Sequence, residues 1–263
     1  MEKNEEHPEP LRPSELGTKE YWETFYARSR EHLDTAADDP DSDGEELGTT
    51  WFTEHRAAQR IVRFLTAPSF PLAPHHHHNA AALDPSASQQ QQPCVLDLGT
   101  GDGALLRDLR AHDFRGPLVG VDYSREAVQL ARSRHDDNED GAVGVRFEVW
   151  DVFDDASAAD WFPRERGGFD IVLDKGTFDA VSLCGESGRG GAEYPAAVAR
   201  LVRAGGFLVV TSCNWTEAEV ESWFGAKDTG FEVFARVEYP KFRFGGAEGQ
   251  GVCTVCFRKT MRE

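Results

Sequence analysis

The chain has 263 residues, 40% of them apolar, and carries 46 acidic against 28 basic side chains, a formal net charge of -18 at pH 7. That length fits one α/β domain with additions at least as well as two small domains. The charge argues against general affinity for nucleic acid or anionic membranes, both of which select positive surface.

No apolar span approaches the ~18 residues that a membrane helix needs, and no positively charged leader precedes a hydrophobic core. The expectation is a cytoplasmic protein. Residues 1–16 are polar and proline-containing, and are expected to be a disordered tail. From Ser14, the run SELGTKEYWETFYARSREH sets Tyr21, Trp22, Phe25 and Tyr26 at helical spacing. Such a stripe either packs on the domain or covers a substrate cleft. An acidic connector over 34–48 leads to a second expected helix at 50–65, with Trp51, Phe52, Ile61, Val62, Phe64 and Leu65 as its apolar face. Residues 17–65 thus read as an N-terminal helical extension. Residues 66–93, rich in Pro, Ala, Ser, His and Gln, read as a flexible low-complexity insertion, and the His75–His78 run within it is not expected to hold a metal.

The core is expected over 94–263. Strands are predicted at 94–98, 118–122, 145–149, 169–174 and 206–212, and helices near 103–111, 124–135, 191–203 and 216–224, with Ser124 as an N-cap. The ending differs: 231–238 and 251–258 are two extended segments joined by a glycine-rich connection, so an antiparallel strand should close an otherwise parallel sheet. Cys253 and Cys256 lie three apart in the last strand and so face opposite sides, which suits buried thiols better than a metal or redox pair.

The chemistry concentrates after the strands. Asp97-Leu98-Gly99-Thr100-Gly101-Asp102-Gly103 gives GxGxG where a dinucleotide loop needs GxGxxG. Asp97 and Asp102 flank it, which biases the loop away from pyrophosphate and toward a ligand with a cationic end. Asp122, at the tip of the second strand, suits the two hydroxyls of a ribose, and Tyr123 offers an edge to the sugar or base. Asp151, with Val152, follows the third strand within reach of an exocyclic amine. Asp174 ends the fourth strand, where open α/β sheets bind ligands, and is the candidate reaction centre, with Lys175 as its solvent-facing partner. After the fifth strand, Asn214 and Trp215 are candidates for substrate contact, although Thr216 with Glu219 fits a capping box equally well. The aromatic, basic stretch Tyr239–Gly246, including Phe242, serves either substrate contact or packing.

Together DLGTGDG (97–103), VDYS (121–124), DVF (151–153), LDKGTFDAVSL (173–183) and TSCNWT (211–216) resemble the seven-strand S-adenosylmethionine-dependent methyltransferases, most closely the lysine methyltransferases of translation elongation factor 1-alpha. LGTKEYWETFY (16–26), TWF (50–52) and KFRFGG (241–246) resemble that group's N-terminal region and late loop. The resemblance implies a Rossmann-like seven-stranded α/β sheet with an antiparallel final strand and helices on both faces. It implies S-adenosyl-L-methionine as cofactor, contacted by Gly99, Gly101, Asp122 and Asp151, with Asp174 at the methyl-transfer cleft. It also implies N-methylated lysine on elongation factor 1-alpha as the product. A monomer without direct nucleic-acid contact is expected. A small-molecule methyltransferase, an NAD-dependent oxidoreductase and a non-catalytic cofactor-binding scaffold are the competing readings.

Overall fold

Short apolar runs separated by amphipathic ones fold into alternating strands and helices in the computed structural model, which describes residues 8–37, 51–76, 92–135, 144–185, 190–225, 229–240, 242–244, 247–249 and 251–261. The first four strands of the main sheet are β1 (Val95–Leu98), β2 (Leu118–Asp122), β3 (Val145–Val149) and β4 (Phe169–Lys175). It is completed by β5 (Val202–Ser212), β6 (Phe231–Val237) and β9 (Cys253–Lys259), with the order β3-β2-β1-β4-β5-β9-β6. Pairings are parallel from β3 through β5, and β9 runs antiparallel to both β5 and β6. A separate hairpin joins β7 (Phe242–Phe244) to β8 (Ala247–Gly249). This is the seven-stranded sheet the sequence implied, antiparallel at its end.

Helices cover both faces. One apolar cluster joins α2 (Ala57–Leu65), α3 (Ala104–Ala111) and α4 (Arg125–Ser133) to Val95, Ile171, Leu173, Phe207 and Val209. The other joins α5 (Thr177–Ser182), α6 (Tyr194–Ala199) and α7 (Glu217–Phe224) to Leu96, Leu98, Val172, Leu208 and Val210. Alternate residues of each central strand thus enter opposite cores, as a sheet buried on both faces requires. Cys253 and Cys256 divide the same way, one into each cluster, both buried. Among the described residues no helix is long and apolar enough to cross a membrane.

Several boundaries move. The expected tail is anchored from its second half onward: Leu11 packs on the core, and Ser14 donates its N–H to Leu183 O at 3.2 Å while capping a short 3-10 turn, Glu15–Gly17. Helix α1 (Lys19–Ala37) runs past the expected start of the acidic connector, whose residues 38–48 lie outside those described. The second N-terminal helix is shorter than 50–65 because Phe52 (φ 67°) and Arg56 (φ 51°) adopt left-handed backbone, leaving a 3-10 turn before α2 begins at Ala57. The expected low-complexity insertion starts within the core. Phe70 and Ala73 are fully buried, the Phe70 ring lying 5.0 Å from Phe207 and 5.3 Å from Phe64. Residues 77–91 lie outside the described chain. The helix expected over 191–203 stops at Ala199, because β5 already begins at Val202, paired with Phe169 across a bulge.

Candidate active site

Strand order reverses between β1 and β4, and the loops leaving these two strands diverge there, which opens a crevice at their carboxyl ends. A cavity of about 680 Å³ occupies it, walled by the exits of β1 to β4 and by residues of the N-terminal extension. The bond that spans the crevice runs from the Thr177 hydroxyl to Leu98 O at 2.6 Å. Gly99 (φ 61°) lets the β1 loop pass beneath it, since a Cβ there would meet Thr177 Oγ1 at 2.2 Å. Gly101 (φ 57°) is similarly constrained from above, its Cβ position lying 2.6 Å from the Tyr26 hydroxyl.

Two buried carboxylates face this loop. Asp97 accepts the Thr100 hydroxyl at 2.8 Å. Burial pushes its pKa up to about 7, with Asp122 and Asp102 adding to the rise while the Thr100 hydrogen bond and the charge of Lys175 oppose it. Asp122 accepts N–H bonds from Gly101 at 3.1 Å and Ser124 at 2.9 Å, and burial raises it to about 6 against those bonds. Asp102 lines the cavity as well and is tied to the helices: it pairs with Arg134, lies 3.7 Å from Arg107, and accepts Ala104 N–H at 3.0 Å.

The N-terminal extension supplies the outer wall. Trp22, Tyr26, Trp51 and Thr53 line the cavity with Gly17. Helix α1 is fastened there by Glu23, whose carboxylate accepts bonds from Ser124 Oγ and the N–H groups of Arg125 and Glu126, at the N-terminus of α4. Burial opposes its ionisation, but those bonds and the Lys19 charge prevail and hold its pKa below the usual carboxylate value. The Tyr123 hydroxyl donates to Thr18 O at 3.3 Å, closing the same seam.

The seven residues assigned to cofactor contact, Asp97, Gly99, Gly101, Asp122, Tyr123, Asp151 and Val152, are brought together around this one cavity. Asp151 is preformed, accepting Phe153 N–H at 3.0 Å. Of the residues assigned to catalysis and substrate, Asp174, Asn214 and Trp215 are not brought there. Asp174 is 1% exposed and lies behind the wall, where one oxygen accepts the N–H groups of Thr177 (2.9 Å) and Phe178 (3.1 Å) and the other the Tyr194 hydroxyl (2.7 Å). Strand alternation sends its neighbour the other way, so Lys175 lines the cavity instead of facing solvent. Trp215 is a core residue: its ring stacks on Phe178 at 5.9 Å, meets Trp223 at 5.6 Å, and its N–H donates to Ser182 Oγ at 3.3 Å. The Thr216–Glu219 capping box that opens α7 explains this, since it leaves Trp215 at the position from which a hydrophobic staple folds inward. Asn214 is exposed on the same sheet edge, outside the cavity lining. Phe242 begins β7, but its side chain, like Lys241, Gly245 and Gly246, lies outside the described residues.

Lys175, Trp22, Tyr26, Trp51, Trp150 and Thr177 also line the cavity and had no assigned role in cofactor contact. The aromatic stripe on α1 signalled a buried face; its target needed the fold. Among the described residues no cluster of three metal-type donors forms. The donor set fits S-adenosylmethionine: a glycine loop that any added Cβ would obstruct, Asp122 at a strand tip for sugar hydroxyls, Asp151 for an exocyclic amine, and Asp97 for a cationic amine.

Comparison with known proteins agrees with that geometry. The methyltransferase-domain family matches residues 91–241. The chain is 35% identical over 257 residues to the protein-lysine N-methyltransferase EFM4 of Saccharomyces cerevisiae, covering 95% of this chain and 96% of the yeast protein. It is 32% identical over 252 residues to EEF1A lysine methyltransferase 2 of Homo sapiens, covering 94% and 88%. Among solved structures, a TehB-like SAM-dependent methyltransferase from Corynebacterium glutamicum aligns over 90% of this chain and 98% of its own, with a TM-score of 0.50 at 16% identity, a likeness of fold.

Proposed function

Because this chain belongs to the family of protein-lysine N-methyltransferases that includes EFM4 and EEF1A lysine methyltransferase 2, we propose that it methylates a lysine of translation elongation factor 1-alpha. It is an S-adenosylmethionine-dependent protein-lysine N-methyltransferase, and the observation that carries this is the near-complete alignment with EFM4 at 35% identity. When bound, S-adenosylmethionine supplies an electrophilic methyl group.

The chain's own residues do the rest. Asp122 and Asp151 hold the nucleoside, and Asp97 faces the donor's amine. Trp22, Tyr26 and Trp51 exclude water from the cavity, and a substrate ammonium entering such a space loses hydration and gives up its proton more readily. The described lining contains no histidine, and we assign that proton to water. The net charge of -18 suits a basic protein surface as the substrate. Activity as a monomer in the cytoplasm completes the reading.

The test is incubation of the purified protein with radiolabelled donor and elongation factor 1-alpha, followed by mapping of the modified residue. Label on one lysine of that factor, lost in Asp122→Ala, is the expected result. Label appearing on a free metabolite and on no protein would replace this reading with the small-molecule one.

A further inference from the structure

Among the described residues, six aspartates and two cations line the cavity, and the cations, Arg107 and Lys175, differ in how they are held. Arg107 is engaged: its guanidinium donates to Asp102 O at 2.6 Å and lies 3.7 Å from that residue's carboxylate. Lys175 is not. Its ammonium sits over the Phe52 ring, 5.7 Å from the centroid, and among the described residues no oxygen accepts from it. Asp97, Asp102 and Asp174 act on it only from a distance. Lys175 is only half-buried, so its ammonium meets the solvent of the cavity and offers its donors to an anion that enters there.

The surroundings hold that ammonium in place. Phe52 keeps a left-handed backbone (φ 67°), uncommon for an aromatic residue, and its ring packs so closely on Gly176 that a Cβ there would lie 3.0 Å away. The lysine therefore leaves β4 against an aromatic wall.

We propose that Lys175 is the receptor for the carboxylate of the methyl donor's amino-acid end. The assignment rests on the methyltransferase reading above and goes beyond it. The donor's amino-acid end is a zwitterion, and the two strand exits divide it: Asp97 of β1 faces the amine, Lys175 of β4 the carboxylate. A charge-assisted hydrogen bond of this kind contributes about tenfold or more in affinity.

Calorimetric binding of three ligands tests this: S-adenosylhomocysteine, its analogue with the carboxylate replaced by hydrogen, and 5′-methylthioadenosine, which lacks the amino-acid end. The unaltered protein should prefer S-adenosylhomocysteine over the decarboxylated analogue by about tenfold or more. Lys175→Met should lose that preference while binding 5′-methylthioadenosine unchanged, and Lys175→Arg should keep most of it. Equal binding of the first two ligands by the unaltered protein overturns the proposal, and so does a preference that survives in Lys175→Met. Loss of all three ligands in a folded Lys175→Met makes the role structural and overturns it too. If Lys175→Met does not fold, Lys175→Arg decides, and absence of the preference there is the negative result. An unaltered protein that binds no S-adenosylhomocysteine at all would instead remove the methyltransferase reading beneath it.

Discussion

The carboxylate of Glu23 accepts a hydrogen bond from the Ser124 hydroxyl at 3.0 Å, joining a helix outside the sheet to the turn that follows Asp122. The same carboxylate caps the N-terminus of α4 through Arg125 and Glu126, at 3.1 and 3.2 Å. One turn further along α1, Tyr26 overlies Gly101. Glu23→Ala should therefore lower stability by about 1 kcal/mol, as loss of a cap does, and weaken binding of S-adenosylhomocysteine severalfold. Denaturant unfolding and calorimetry measure the two effects, and stability lost without affinity would detach α1 from the site.

Gly101→Ala should weaken donor binding by tenfold or more. The new methyl group would meet the Tyr26 hydroxyl at 2.6 Å in a backbone conformation (φ 57°) that alanine resists. Adding Tyr26→Phe should recover part of the affinity by removing the oxygen. If the double variant binds no better than Gly101→Ala, the obstruction comes from the backbone alone.

The buried carboxylates give stability and affinity opposite pH dependences. Asp97 and Asp174 at about 7, and Asp122 at about 6, all lie above the usual carboxylate value because of burial. The folded chain thus holds more protons than the unfolded one between about pH 4 and 7, and these groups' contribution to stability falls as pH rises through that window. A cationic ligand favours the ionised form of Asp97, so donor affinity should rise about tenfold from pH 6 to pH 8. Titration calorimetry at both pH values checks this. An Asp97→Asn protein with the same pH dependence would exclude Asp97 as its source.

Asp174→Ala should destabilise the fold by about 3 kcal/mol, since it leaves the Thr177 and Phe178 N–H groups and the buried Tyr194 hydroxyl without their acceptor. Asp174→Asn, which keeps an oxygen for the two N–H groups, should retain turnover within about tenfold of the unaltered enzyme. Urea unfolding beside single-turnover assays separates the roles. A stable Asn variant without measurable turnover would return Asp174 to the reaction centre.

What could be read in advance follows from how local each signal was. Asp97, Asp122 and Asp151 were legible because each stands at or just beyond a strand end, and in a parallel sheet those positions share one edge whatever the helices do. Asp174 and Lys175 show where that logic stops. Both sit at the same edge, but which of two adjacent side chains meets the cavity depends on which face α5 covers, a tertiary fact that one strand's sequence does not contain. Trp215 was misplaced for a related reason: its capping box announced a helix, but not that the helix would press its leading aromatic into the core. Phe70 was hidden by its neighbours, a single aromatic in a stretch whose average composition suggested nothing to bury.

Strand β9 enters the sheet upside down between β5 and β6, with Cys253 opposite Ser212 and Thr254 opposite Val237. Tyr239 and Val252, on either side of the β7–β8 hairpin, consequently lie at the carboxyl-end rim of the sheet, packed against Ala57. None of the seven residues assigned to cofactor contact belongs to that excursion. A change in the length or charge of that excursion therefore leaves every one of those seven positions where the sheet puts it.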